Sequence, residues 1–168
     1  VCADIGIPVG ILFELNEKEE RAGGAKRPLC VENTRPPLLP ALDPAGHKYK
    51  RGHCVVISGP ASATGAARLA SRAALRCGAG LVTVAATGDA VPVLGAALTA
   101  VMVREVKDGA ALAALLQDDR LNAVVVGPGN GVGPATKARV AAALASSASV
   151  ILDADALTSF EGDAASLF

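Results

Sequence analysis

The stretch Cys54–Ala85, CVVISGPASATGAARLASRAALRCGAGLVTVA, decides the fold. It opens on Cys54-Val55-Val56-Ile57-Ser58, a short apolar, β-branched run of the kind that forms a strand buried on both faces. Small residues from Gly59 to Ala63 make a turn, and Ser62 or Thr64 is placed to cap the helix that follows. That helix is predicted over residues 64–77, with Ala66, Leu69, Ala70, Ala73 and Cys77 at helical spacing as its apolar face. Gly78-Ala79-Gly80 stops it, and Leu81-Val82-Thr83-Val84-Ala85 reads as a second strand. Strand, helix and strand within roughly thirty residues form a parallel crossover unit.

The alternation continues downstream. Val91–Ala97 reads as a short helix, Val101-Met102-Val103 as a strand and Asp108–Leu116 as a helix. Ala123–Val126 is a further strand, Pro134–Ala145 a helix with proline in its first turn, and Val150-Ile151-Leu152 a last strand. From His47 to the end the chain is therefore an α/β domain, a mostly parallel central sheet between helical layers. Upstream the character changes. Residues 1–15 are mostly apolar and include the strand-like Asp4-Ile5-Gly6-Ile7-Pro8. Residues 16–46 are charged and then proline-rich, with Pro28, Pro36, Pro37, Pro40 and Pro44, a composition that resists helix and central sheet alike. They read as a linker, and residues 1–15 as the end of an upstream domain.

Sixteen Lys+Arg balance sixteen Asp+Glu in 168 residues, so binding to nucleic acid or an anionic membrane through bulk charge is excluded. Aromatics are 2% of the chain with no Trp, which removes base-stacking platforms as well. Apolar residues make up 51%, too many for general disorder, yet no run is long enough to span a bilayer. The four cysteines, Cys2, Cys30, Cys54 and Cys77, form no C-x-x-C pair, and there is no secretory leader pattern; a reducing cytoplasm is the expected setting. His47, His53 and Cys54 match no common zinc spacing. Arg68, Arg72 and Arg76 recur every four residues as the solvated face of their helix.

In parallel sheets ligands sit beyond the carboxyl ends of the strands, which singles out three loops. The first, Ser58 to Ala67, combines small residues with a helix start, suited either to a tight turn or to close approach of an anionic ligand. The second, Gly127-Pro128-Gly129-Asn130-Gly131-Val132-Gly133, has four glycines whose amides could line an anion site. Val132 stands where the dinucleotide fingerprint needs its third glycine, so a Rossmann hydride-transfer enzyme is disfavoured. The third, Leu152-Asp153-Ala154-Asp155-Ala156-Leu157, sets two carboxylates at a strand end. There they bind Mg²⁺, hold ligand hydroxyls or orient an acid–base group, unless one is simply a helix N-cap.

These motifs together resemble a known family. His47-Lys48, Gly52-His53, the strand to Gly59, Thr64-Gly65-Ala66-Ala67 and Ala73 through Thr83 resemble the opening of the ADP/ATP-dependent NAD(P)H-hydrate dehydratases, which are ribokinase-like. Gly127-Pro128-Gly129 and Leu152 through Leu157 match the family's next two motifs in order, and the resemblance covers about residues 47–160. Asp4 to Pro8 resembles the closing strand of the NAD(P)H-hydrate epimerase domain that precedes the dehydratase in bifunctional bacterial members.

The resemblance implies ribokinase-like α/β/α layers and a metabolite-repair activity. Hydrated NADH or NADPH is returned to the working coenzyme with hydrolysis of ADP or ATP, by phosphorylation of the ring hydroxyl and loss of phosphate, assisted by Mg²⁺. By position, Gly65 and Ala66 in the first loop and Gly127, Gly129 and Asn130 in the second would contact the hydrated nicotinamide. Asp153 would lie beside it or beside a metal, with Asp155 the other possible metal ligand. A homo-oligomer is the expected assembly. Asn130 stands where members carry an apolar residue, and Ser58-Gly59-Pro60 replaces the usual paired glycines. The family's His-Pro-Gly-Glu-like segment, its Gly-x-Gly-Asp anion hole and its catalytic Asp have no counterpart before Phe168. The sheet is thus expected to be incomplete at the C-terminus, and the 168 residues alone are expected to be inactive. Two other readings stay open on the residues. One is a ribokinase-like kinase of a vitamin precursor such as hydroxyethylthiazole; the other is a non-catalytic nucleotide-binding module.

Overall fold

The computed structural model describes residues 45–167. The expected upstream domain end at residues 1–15 and nearly all of the linker at 16–46 lie outside the described residues, as do Cys2, Cys30 and Phe168. Five strands form one parallel sheet: β1 (His53–Ile57), β2 (Leu81–Ala86), β3 (Met102–Glu105), β4 (Ala123–Val126) and β5 (Ser149–Leu152). Their spatial order is β3-β2-β1-β4-β5. Four helices connect them, α1 (Gly65–Arg76), α2 (Val91–Ala97), α3 (Gly109–Leu115) and α4 (Pro134–Leu144), and the short α5 (Asp155–Thr158) follows β5. Every element expected downstream of His47 is present, displaced by two residues at most. Among the described residues no helix is long and apolar enough to cross a membrane.

The apolar run that marks β1 reflects its central place. Its two edges pair with β2 and β4, and both of its faces are covered. Successive side chains alternate across the sheet and so build two cores. Val55 and Ile57 pack with Val124, Val126, Leu112 and Val140 on one side. Cys54 and Val56 pack with Val82, Val84, Ala67 and Leu94 on the other. The outer strands are half-exposed, with Met102 and Ile151 reaching solvent.

After β3 the chain crosses back to the far side of β1 to form β4. The connections leaving β1 and β4 therefore diverge, one toward β2 and the other toward β5, and their loops border a crevice at the carboxyl ends of these two strands.

The expected apolar face of α1 is not the buried one. Ala67 and Ser71 face the sheet, supported by Ala70, Ala74 and Leu75, while Leu69 is 71% exposed and Ala73 and Cys77 face solvent. The true stripe lies one residue along, about 100° around the helix. Small side chains win the contact because they let the helix approach β1 and β2 closely. Ser71 can be buried because its hydroxyl donates to the Arg68 carbonyl at 3.1 Å. The arginines fall on the outer side as expected, with Arg72 and Arg76 exposed and Arg68 half-buried.

Alternation also separates His53 from Cys54. The His53 Nε2 lies 2.7 Å from the Thr83 hydroxyl across the β1–β2 pair, whereas Cys54 is buried in the opposite core. The two cannot share a ligand. Burial lowers the pKa of His53 below its usual 6.5, with the nearby Asp118 carboxylate opposing that shift.

Truncating Leu112 to Ala, at a fully buried site, should cost about 2–5 kcal/mol in urea unfolding. Leu69→Ala should change stability by less than about 0.5 kcal/mol; equal losses would contradict the assigned face of α1. The His53 ring is held neutral by the fold, so its contribution is complete above the unfolded pKa and is lost as pH falls through the lower folded pKa. Stability of the parent should therefore drop faster below pH 6.5 than that of His53→Gln, and the His53 ring resonances should titrate below 6.5.

Candidate functional site

Three loops meet at the crevice, and they meet backbone to backbone. A Cβ on Gly59 would lie 1.8 Å from the Gly129 carbonyl oxygen, and one on Gly127 would lie 1.7 Å from that of Asp153. Only glycine allows either approach. The loops after β1, β4 and β5 thus form one rim, with the loop after β4 in the middle.

In the first loop Thr64 occupies the N-cap position of α1 but its side chain makes no capping bond, and Ser62 sits within a 3₁₀ turn (Ala61–Ala63). The expected cap is therefore not made. The amides of Gly65 and Ala66 begin the helix without a hydrogen-bond partner among the described residues. Beside them the Ser58 hydroxyl, 1% exposed, also lacks one. An uncapped helix start in a crevice favours negative charge.

The second loop alternates in hand. Gly127, Gly129, Gly131 and Gly133 all have positive φ, at 133°, 73°, 80° and 140°, which accounts for all four glycines. Their amides, however, do not line an anion site as expected. The Gly127 amide donates to Asn130 Oδ1 at 3.2 Å, that of Gly131 to Asp155 Oδ2 at 2.8 Å, and that of Gly133 to Ser159 Oγ at 3.1 Å. Gly129 is the loop glycine whose amide has no hydrogen-bond partner among the described residues. Asn130 turns inward and is buried, its Nδ2 donating to the Ile57 carbonyl at 3.1 Å. Its amide staples the end of β1 to the loop, so a side-chain contact with a ligand, as its position in the family motif implies, competes with that staple.

At the third loop the two aspartates point to different work. Asp153 is exposed, and no described residue pairs with its carboxylate. Asp155 is the first residue of α5, where Ala154 takes the N-cap position, so the capping alternative for Asp155 is not what forms. Its carboxylate holds Gly131 instead. The cost of placing two carboxylates at a strand end is met because Asp153 is solvated and Asp155 is hydrogen-bonded to the Gly131 amide. Among the described residues no three acidic, His or Cys side chains gather as metal ligands.

Sequence reasoning missed Asp89. Its carboxylate accepts from the Ala61 amide at 2.9 Å and from the Thr87 hydroxyl at 2.6 Å, and those bonds, in that order, hold its carboxyl below the usual carboxylate range. Asp89 thus braces the first loop. The signal was available: Thr87-Gly88-Asp89 also follows the carboxyl end of a strand, β2.

Ala154 has φ 47°, the one non-glycine residue with positive φ among those described. Such a residue costs roughly 1–3 kcal/mol, and the extra unfolded-state freedom of glycine offsets roughly 0.5–1 of it. Ala154→Gly should therefore raise unfolding stability by about 1 kcal/mol; a loss would show that the turn is not strained.

Residues 54–166 match the family model described as NAD(P)H-hydrate dehydratase. The chain is 38% identical over 121 residues to the bifunctional NAD(P)H-hydrate repair enzyme Nnr of Coxiella burnetii, covering 72% of this chain and 24% of that protein. It is 35% identical over 126 residues to the ATP-dependent (S)-NAD(P)H-hydrate dehydratase of Bos taurus, covering 71% of this chain and 38% of that protein. The chain therefore spans less than half the length of these relatives. Among solved structures, the ADP/ATP-dependent NAD(P)H-hydrate dehydratase of Bacillus subtilis, co-crystallised with ATP/Mg²⁺, superposes with a TM-score of 0.60 at 25% identity, over 71% of this chain and 43% of that one. A ribokinase-like superfamily protein from Enterococcus faecalis shares the fold, with a TM-score of 0.62 over 73% of this chain and 43% of that one, at 24% identity. The vitamin-precursor kinase alternative is not favoured by these relatives, and with the matched residues running through all three loops, the chain belongs to the NAD(P)H-hydrate dehydratase family.

Proposed function

We propose that this chain supplies the substrate-facing rim of an enzyme that dehydrates hydrated NADH or NADPH at the expense of ATP or ADP. The observation that carries the reading is the convergence of an uncapped helix start at Gly65 and Ala66, the open Gly129 amide and the unpaired Asp153 carboxylate at one crevice. Close backbone approach at Ala66 and Gly129 suits a small, hydrogen-bonding ring, and unpaired amides suit its phosphate-bearing remainder. Phosphoryl transfer to the ring hydroxyl converts hydroxide, a poor leaving group, into phosphate. Phosphate then departs with the C–O electron pair, a ring proton is lost, and the double bond returns; the nucleotide ends one phosphate shorter.

Mg²⁺ bound largely through nucleotide phosphates needs only one or two protein carboxylates. Asp153 fits that requirement, being solvated and unpaired, whereas Asp155 already spends one oxygen on Gly131. When bound there the ion would neutralise charge on the transferring phosphoryl group. The Gly-x-Gly-Asp anion hole and catalytic Asp that the resemblance implies have no counterpart within these 168 residues. Residues 1–15 are proposed as the end of an upstream epimerase-like domain. Support comes from the Salinibacter ruber bifunctional repair enzyme, 33% identical, whose match runs over 95% of this chain. The expected homo-oligomer and cytoplasmic setting belong to the same proposal.

In the full-length gene product, hydrated NADPH with ATP or ADP should regain the near-ultraviolet absorbance of the dihydronicotinamide ring. Asp153→Asn should lower kcat/KM roughly 10²-fold with little change in thermal stability, since no described residue depends on that carboxylate. No absorbance recovery with either nucleotide would overturn the functional reading. Full activity of Asp153→Asn would overturn the site assignment.

A further inference from the structure

The second aspartate of Asp153-Ala154-Asp155 is, by its position alone, as good a candidate for the metal as the first. Its contacts point elsewhere. Asp155 and Ser159 are four residues apart, so their side chains lie on one side of the turn that begins with α5. Asp155 Oδ2 accepts from the Gly131 amide at 2.8 Å, and Ser159 Oγ accepts from the Gly133 amide at 3.1 Å while donating to the Asp155 carbonyl at 2.6 Å. The Thr136 hydroxyl donates to the Gly131 carbonyl at 2.5 Å, with the Asn130 carbonyl also within reach at 3.2 Å, and from within the loop Asn130 Oδ1 takes the Gly127 amide. A loop of alternating hand presents its amides in a concave row, which would otherwise attract any anion. Here that row is filled by the protein's own carboxylate and hydroxyl.

We propose that Asp155 and Ser159 are positioning residues that clasp the glycine loop, filling its anion-attracting amides at 131 and 133 and leaving Gly129 as the one loop glycine open to the substrate. Asp155 then acts on the reaction through the loop, and not as a metal ligand. This rests on the functional reading above for its kinetic consequences, but not for the clasp itself.

The two roles separate by chemistry. An amide oxygen still accepts from Gly131, so Asp155→Asn keeps the clasp, whereas Asp155→Ala removes it. A Mg²⁺ ligand would be lost in both. Hydrogen exchange of the peptide spanning 127–133, followed by mass spectrometry in the full-length gene product without substrate, reads the clasp directly. Asp155→Ala should exchange about tenfold faster there, Ser159→Ala should show a similar rise, and Asp155→Asn should stay within about twofold of the parent. With hydrated NADPH and ATP, Asp155→Ala should raise KM for the hydrate about tenfold, with a smaller fall in kcat and an unchanged Mg²⁺ requirement, and Asp155→Asn should restore KM. Unchanged exchange in Asp155→Ala overturns the clasp. An Asp155→Asn variant as impaired as Asp155→Ala, with a raised Mg²⁺ requirement, overturns the positioning role in favour of metal ligation. Should the parent not turn over this substrate, the functional reading fails while the exchange data still decide the clasp.

Discussion

The rim depends on carbonyl oxygens approaching glycine α-carbons more closely than any side chain would allow. At Gly59 and Gly127 the neighbouring loop stands where a Cβ would be. Those two contacts bring the loops after β1, β4 and β5 into register at the carboxyl edge of the sheet. A methyl group at either position would push the loops apart by ångströms, and hydrogen bonds of about 3 Å between them would fail together. Sheet order does the rest. Because β4 lies on the far side of β1 from β2, the loops around the crevice come from adjacent strands although their sequences are about seventy residues apart.

Polar groups at the rim divide into those that build it and those left over. Asp89 holds the first loop, Asn130 holds the second to the end of β1, and Asp155 and Ser159 hold the second from the side of α5. Among those left over are the amides at Gly65, Ala66 and Gly129, the buried Ser58 hydroxyl and the Asp153 carboxylate. A buried hydroxyl without a partner is costly, and that of Ser58 lies at the carboxyl end of β1, beside the crevice. Several fixed donors and one acid, already oriented before a ligand arrives, lose little order on binding.

Much of this was legible from the sequence, for identifiable reasons. Central strands such as Val55-Val56-Ile57 and Val124-Val125-Val126 are recognisable because burial on both faces leaves no room for polar alternation. Glycine runs at strand ends locate the loops because positive φ and close approach leave few other choices. The face of α1 was not legible. In an alanine-rich helix hydrophobicity barely distinguishes one stripe from the next, and fit to β1 and β2 selected Ala67 and Ser71 over the larger Leu69. Nor did the glycine loop announce that its amides would be filled internally, since Ser159 and Asp155 reach it from the turn after β5. Which amides remain open is a property of long-range pairing, and spacing along the chain does not encode it.

The same limit explains why two aspartates two residues apart end with different roles. Along a continuing strand they would point the same way and repel one another. The chain instead turns between them at Ala154, whose φ of 47° takes it from the end of β5 at Leu152 into α5 at Asp155 within two residues. Asp153 therefore keeps a strand-end position, open to solvent and to whatever enters the crevice, while Asp155 starts a helix and reaches back to Gly131. A glycine at 154 would make this turn at lower conformational cost in the folded state, yet it would also widen the range of directions available to both carboxylates. Alanine narrows that range. Strain in the backbone is here the counterpart of directional control over the unpaired acid.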